Sequence, residues 1–93
     1  MSVNVPRIRK FTATTTVTRL LERNTKRKSV LILNYGSITV ELLSDKDQVY
    51  GDGMPLQVGD PIDSGHFNPQ GELWIVAASS TCDIRVWEDI QIA

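Results

Sequence analysis

Short apolar runs, separated by turn residues and lacking a sustained helical period, set what this chain can fold into. Residues 29–34 (SVLILN) and 73–79 (LWIVAAS) are near-continuous apolar runs, the pattern of strands covered on both faces. Residues 38–43 (ITVELL) alternate, with Ile38, Val40 and Leu42 inward and Thr39 and Glu41 outward. Tyr35-Gly36-Ser37 lies between the first and third of these runs, so they are expected to form a hairpin. Residues 82–92 (CDIRVWEDIQI) place Cys82, Ile84, Val86, Ile90 and Ile92 on one face, with Glu88 interrupting the set. Asp83, Arg85, Trp87, Asp89 and Gln91 fall on the other.

The remaining segments fit the same class. The threonine-rich stretch FTATTTVT (11–18) reads as a strand with Phe11, Ala13, Thr15 and Val17 on one face. Residues 54–58 (MPLQV) alternate around Met54, Leu56 and Val58, and Pro55 confines them to an edge or a strand start. Residues 44–53 and 59–71 are expected to be loops, the second holding three glycines and two prolines. Only residues 18–24 (TRLLERN) resemble a helix, a single turn capped by Thr18 with Leu20 and Leu21 plugging one end of the core. No helix is long enough for a βαβ crossover. The expected fold is all-β, a small antiparallel β-sandwich or jelly-roll-like domain over residues 11–93. Residues 1–10 (MSVNVPRIRK) precede it as an extended basic arm.

Charge divides the chain sharply. Its 93 residues hold ten Lys plus Arg and eleven Asp plus Glu, a net charge of −1. Residues 1–28 hold eight of the cations and a single acid, Glu22, for a net +7; the rest of the chain is therefore −8. A polyanion-binding arm or a self-complementary assembly is the expectation. No apolar run approaches the roughly 18 residues of a membrane helix, and the N-terminus has no apolar core of a signal peptide. The lone Cys82 cannot form an internal disulfide, and no Cys/His spacing marks a zinc site.

Few residues point to catalysis or cofactors. His66 sits in a Gly/Pro loop with no nucleophile beside it, and Cys82 reads as a small buried hydrophobe. Asp45, Asp47 and Asp52 invite a calcium loop, but the fifth and twelfth positions from Asp45 are Val49 and Leu56, which are not oxygen ligands. There is no Walker loop or dinucleotide fingerprint, and the turn Gly51-Asp52-Gly53 is a weak signal. No catalytic, metal or cofactor residue is assigned. The basic runs 7–10 and 23–28 can neutralise phosphates, yet no aromatic platform or recognition helix accompanies them, so nucleic acid ranks below protein as a partner. Trp74 reads as core, and Trp87, on the polar face, reads either as a contact residue or as cover for the rim of the sandwich.

Leu20-Leu21 and Asn24 are followed by Arg27-Lys28-Ser29-Val30-Leu31-Ile32-Leu33-Asn34, then by Gly71-Glu72-Leu73-Trp74-Ile75-Val76-Ala77, then by Ile84-x-Val86-x-Glu88. This set of short motifs resembles small tailed-bacteriophage virion proteins. The resemblance runs over residues 16–88. It implies a β-sandwich and a non-enzymatic structural role, most often capsid decoration on the head surface, otherwise a tail, head–tail or fibre component. The implied partner is the major capsid protein or another virion protein, with the chain itself a homo-oligomer. The basic arm and long loops lie outside the shared pattern. The residues expected to bind the partner are Val3, Val5, Arg7, Ile8, Arg9 and Lys10 of the arm, Arg23, Lys26, Arg27 and Lys28 of the link, and Trp87. A nucleic-acid-binding role for the arm is the alternative from another class. A carbohydrate-binding module using Trp87, Tyr50 and the acidic loop ranks lower, and an enzyme last.

Overall fold

The computed structural model describes residues 4–65 and 67–92, and among them the chain forms eight strands and no helix. They are β1 (Asn4–Ala13), β2 (Thr18–Leu21), β3 (Arg27–Asn34), β4 (Val40–Leu43), β5 (Met54–Leu56), β6 (Pro61–Asp63), β7 (Leu73–Ala77) and β8 (Cys82–Gln91). Two four-stranded antiparallel sheets result, ordered β1-β8-β3-β6 and β2-β7-β4-β5. They pack in a sandwich-like way around one apolar cluster, which includes Leu20, Leu21, Val30, Ile32, Val40, Ile75, Ile84 and Val86. All-β architecture follows from the local alternation; which strands pair does not.

The expected hairpin between 29–34 and 38–43 does not form. β3 pairs with β8 and β6, whereas β4 pairs with β7 and β5, so the turn at 35–37 carries the chain from one sheet to the other. Asn34 sets this corner. Its buried amide nitrogen donates to the Ile38 and Leu56 carbonyls at 2.9 Å each, and its Oδ1 accepts the Gly36 N–H at 3.0 Å. One side chain thus satisfies three backbone groups at the corner. Gly36 is required there, since a Cβ would collide with Cys82 Sγ and lie 2.9 Å from the Asp83 nitrogen. Cys82 is itself buried, as a small core residue.

Residues 18–21 form a strand rather than a helical turn. β2 pairs with β7, and its register shifts between Arg19 and Leu21. That irregularity turns two consecutive leucines, Leu20 and Leu21, into the core, which regular alternation forbids. Residues 61–63, expected within a long loop, form β6 against the middle of β3. Of the set Met54, Leu56 and Val58, only Leu56 is buried, because β5 is a three-residue edge strand. β3 is covered on one face only, with Leu31 exposed between buried Val30 and Ile32. Trp74 is half-buried rather than core. Glu41 is buried instead of outward, and its Oε1 accepts the Gly51 and Gly53 N–H groups at 2.7 and 3.1 Å.

Residues 4–10 do not stand away from the sheet. They are the greater part of β1, paired residue for residue with β8 from Asn4 opposite Gln91 to Ala13 opposite Cys82. Pro6 is tolerated because β1 is an edge strand, and the neighbouring cations discourage edge-to-edge aggregation. Phe11 and Ala13 face the core as expected, but the strand ends at Ala13, and the carbonyl of Thr14 accepts the Ala77 N–H at 2.7 Å.

Candidate functional site

The basic N-terminal segments converge on one acid. Alternation along β8 turns Glu88 inward with Ile84 and Val86, where its side chain has no solvent exposure. Burial alone pushes its carboxyl up, but hydrogen bonds from Arg27 and Arg9, with their charges, outweigh this and hold it below the ordinary 4.5. Arg27 Nε donates to Oε2 at 2.8 Å and Arg9 Nε to Oε1 at 2.7 Å; Arg7 Nη2 reaches Oε1 at 3.3 Å. The other nitrogens of Arg27 donate to the Pro69 and Glu22 carbonyls at 3.0 and 2.9 Å. Arg27 therefore ties the β2–β3 link, the 64–72 loop and β8 together.

Arg27, one of the residues expected to bind the partner, is 2% exposed and makes three hydrogen bonds inside the fold. The cause is a second irregularity, a register shift between Arg27 and Ser29 against β8. Simple alternation from Val30 and Ile32 would have turned Lys28 inward; the shift turns Arg27 in and leaves Lys28 exposed.

Above Glu88 the edges of the two sheets leave a cavity of about 480 Å³. Arg7, Arg9 and Phe11 line it from β1, Arg19 and Leu20 from β2, and Glu22, Arg23 and Arg27 from the link and the start of β3. Arg9 Nη2 spans the gap to the Leu20 carbonyl at 3.4 Å. Arg19 lies 3.9 Å from Glu72 and 5.9 Å from the centre of the Trp74 ring. Arg23 is exposed and has no ion-pair partner among the described residues. A basic cleft of this kind suits carboxylates, which arginine grips with two parallel bonds.

The opposite face of the same sheet carries a different feature. Ile8 on β1 and Leu31 on β3 both stand in register with Trp87 on β8, forming an apolar row across three strands. The three are 64%, 38% and 48% exposed. On one side the row is flanked by Lys10, Arg85 and Leu33, which are in register across β1, β8 and β3. Arg85 donates to Asp83 at 3.0 and 3.2 Å and covers the Tyr35 ring at 4.6 Å. The hydrogen bond from Arg85 holds the Asp83 carboxyl below its ordinary 3.8.

The expected contact residues thus divide into two groups. Arg7, Arg9, Arg23 and the buried Arg27 belong to the cleft; Ile8, Lys10 and Trp87 belong to the outer face. Val5 is half-exposed on the cleft side of β1, and Lys26 and Lys28 are exposed near the start of β3. Val3 and His66 lie outside the described residues. Sequence reading passed over Leu31, although the alternation Val30-Leu31-Ile32-Leu33 marked it as outward if one face of β3 were open. Among the described residues no cluster of His, Cys, Asp and Glu is arranged to hold a metal ion. No protein-family model matches the chain, and comparison with curated proteins finds no match either.

Proposed function

We propose that this is a non-enzymatic virion structural protein of a tailed bacteriophage, a capsid decoration protein that docks on the head through the outer face of its β1-β8-β3 sheet. The observation that carries the docking face is the in-register row Ile8–Trp87–Leu31. Three large apolar side chains lie side by side there, with Leu33 of β3 next to them, and form the kind of anchored centre that protein interfaces use. Trp and Arg are the residues most often dominant in such contacts, and Trp87 sits in the middle with Arg85 beside it along the strand.

The strand order supports a jelly-roll reading of the sandwich. β1-β8-β3-β6 opposite β2-β7-β4-β5 nests each early strand against a late one, as in the eight-stranded double-sheet folds found in viral capsid and lectin domains. The resemblance of the motifs over residues 16–88 to phage virion proteins supports a virion structural role, on the head or on the tail. Many weak copies on a repetitive shell bind collectively, so no single contact has to be strong.

Electron microscopy of virions decorated with an antibody to this protein tests the reading. Label distributed over the head is the expected result, with occupancy falling when Trp87→Ala protein replaces the wild type. Label confined to the tail, or particles without label, overturns it.

A further inference from the structure

The topology converts the charge division of the sequence into a division of the fold. β1 and β2 are edge strands of the two sheets and line the same basic cleft. β5 and β6 are the edges on the opposite side. There the 44–53 loop and the turn before β6 carry Asp45, Asp47, Asp52 and Asp60, all exposed, with Lys46 the one cation among them. None of the four aspartates has an ion-pair partner among the described residues. The acidic loop is also held in shape. Glu41 accepts two of its backbone N–H groups, and Gln48 Oε1 accepts the Ser44 N–H at 2.8 Å. Little ordering cost remains when such a loop makes a contact.

The two edges cannot neutralise each other within one copy. Three strand spacings of about 4.8 Å put them roughly 14 Å apart, beyond the ~8 Å screening length at physiological salt. We infer that the basic β1/β2 edge of one copy docks on the acidic β5/β6 edge of a second copy, head to tail. Arg23 is the leading contact cation, because Glu88 already engages Arg7, Arg9 and Arg27. Asp47 is its counterpart, an exposed acid whose carboxylate has no partner among the described residues. A two-fold dimer through either edge would set like charges together; a head-to-tail contact does not, and it closes as a ring or extends as a filament. The contact leaves the outer face with Trp87 free, so it stands or falls separately from docking on a particle.

Sedimentation of the full chain at low salt, from micromolar concentrations to about 1 mM, tests this. The wild type is expected to self-associate, and to do so less as salt rises. Arg23→Glu and Asp47→Arg are each expected to weaken association by at least about tenfold, with circular dichroism showing the fold retained. An equimolar mixture of the two variants is expected to associate again, because each altered edge then meets its complement. A wild type that stays monomeric throughout overturns the inference. So do variants that associate like the wild type, or a mixture no stronger than the variants alone.

Discussion

Arg27 and Glu88 are 61 residues apart in the chain and 2.8 Å apart in the fold, both removed from water. Their pairing changes what the basic N-terminal segment is for. Three of its arginines hold one buried carboxylate, so part of the charge that looked available to a partner is used to lock β1, β3 and β8 together.

Removing Arg27 alone is expected to be costly. Arg27→Met leaves Glu88 short of a donor and strips the Pro69 and Glu22 carbonyls of theirs. A loss of about 3–5 kcal/mol is the expected size for breaking one side of a buried pair. Arg7→Ala should cost under about 1 kcal/mol, because that side chain is mostly exposed and its bond is long. Adding Glu88→Leu to Arg27→Met should recover part of the loss, since well-packed apolar residues often replace a buried pair at little cost. Urea unfolding of the four proteins measures all three differences.

Acid should weaken the fold through the same carboxylate. The Glu88 carboxyl lies below its ordinary 4.5 in the folded chain, so the folded state holds that proton less tightly than the unfolded one. The resulting stabilisation is present in full above the unfolded value and disappears as pH falls through the folded value. Stability is therefore expected to hold from neutral pH to about 5 and to drop below about 4.5. Glu88→Gln should be less stable at neutral pH and should show a shallower acid limb. Melting temperatures across pH 3–7 check both, and an unaltered acid limb in the variant would assign the transition to other carboxylates.

Deleting residues 1–10 should damage the domain itself. The truncation removes most of β1 together with Arg7 and Arg9, uncovers one side of β8 and leaves Glu88 with Arg27 alone. Loss of a cooperative thermal transition, or a shift to aggregation through the newly exposed β8 edge, is the expected outcome. A truncated chain with native-like amide dispersion in NMR spectra and unchanged melting would show that β1 is dispensable.

Much of the fold could be read locally. Alternation along residues 82–92 correctly separated Ile84 and Val86 from Trp87, and it placed Glu88 on the inner side, because side-chain direction in a strand depends only on position along it. Leu20 and Leu21 are buried as expected, but on a strand whose alternation breaks at Leu20, and alternation breaks again at Arg27. Each sits beside a register shift, where one extra residue reverses the faces, and nothing in the neighbouring residue types marks such a shift. The pairing of residues 29–34 with 38–43 failed for another reason: Tyr35-Gly36-Ser37 suits a hairpin turn as well as a sheet-to-sheet corner. Asn34 decides between them through contacts with Ile38 and Leu56, the second 22 residues away.

The sequence by itself determined an all-β chain, the outward position of Trp87 and the segregation of charge about Lys28, since composition and period are local quantities. Tertiary structure alone decided where that charge goes. Strand order set β1 and β2 on one side and β5 and β6 on the other, and it sank Glu88 beneath three arginines. It also brought Ile8, Trp87 and Leu31 into one row. Contacts between distant strands depend on which sheet each strand joins, and that choice is settled by packing the whole core rather than by any one segment.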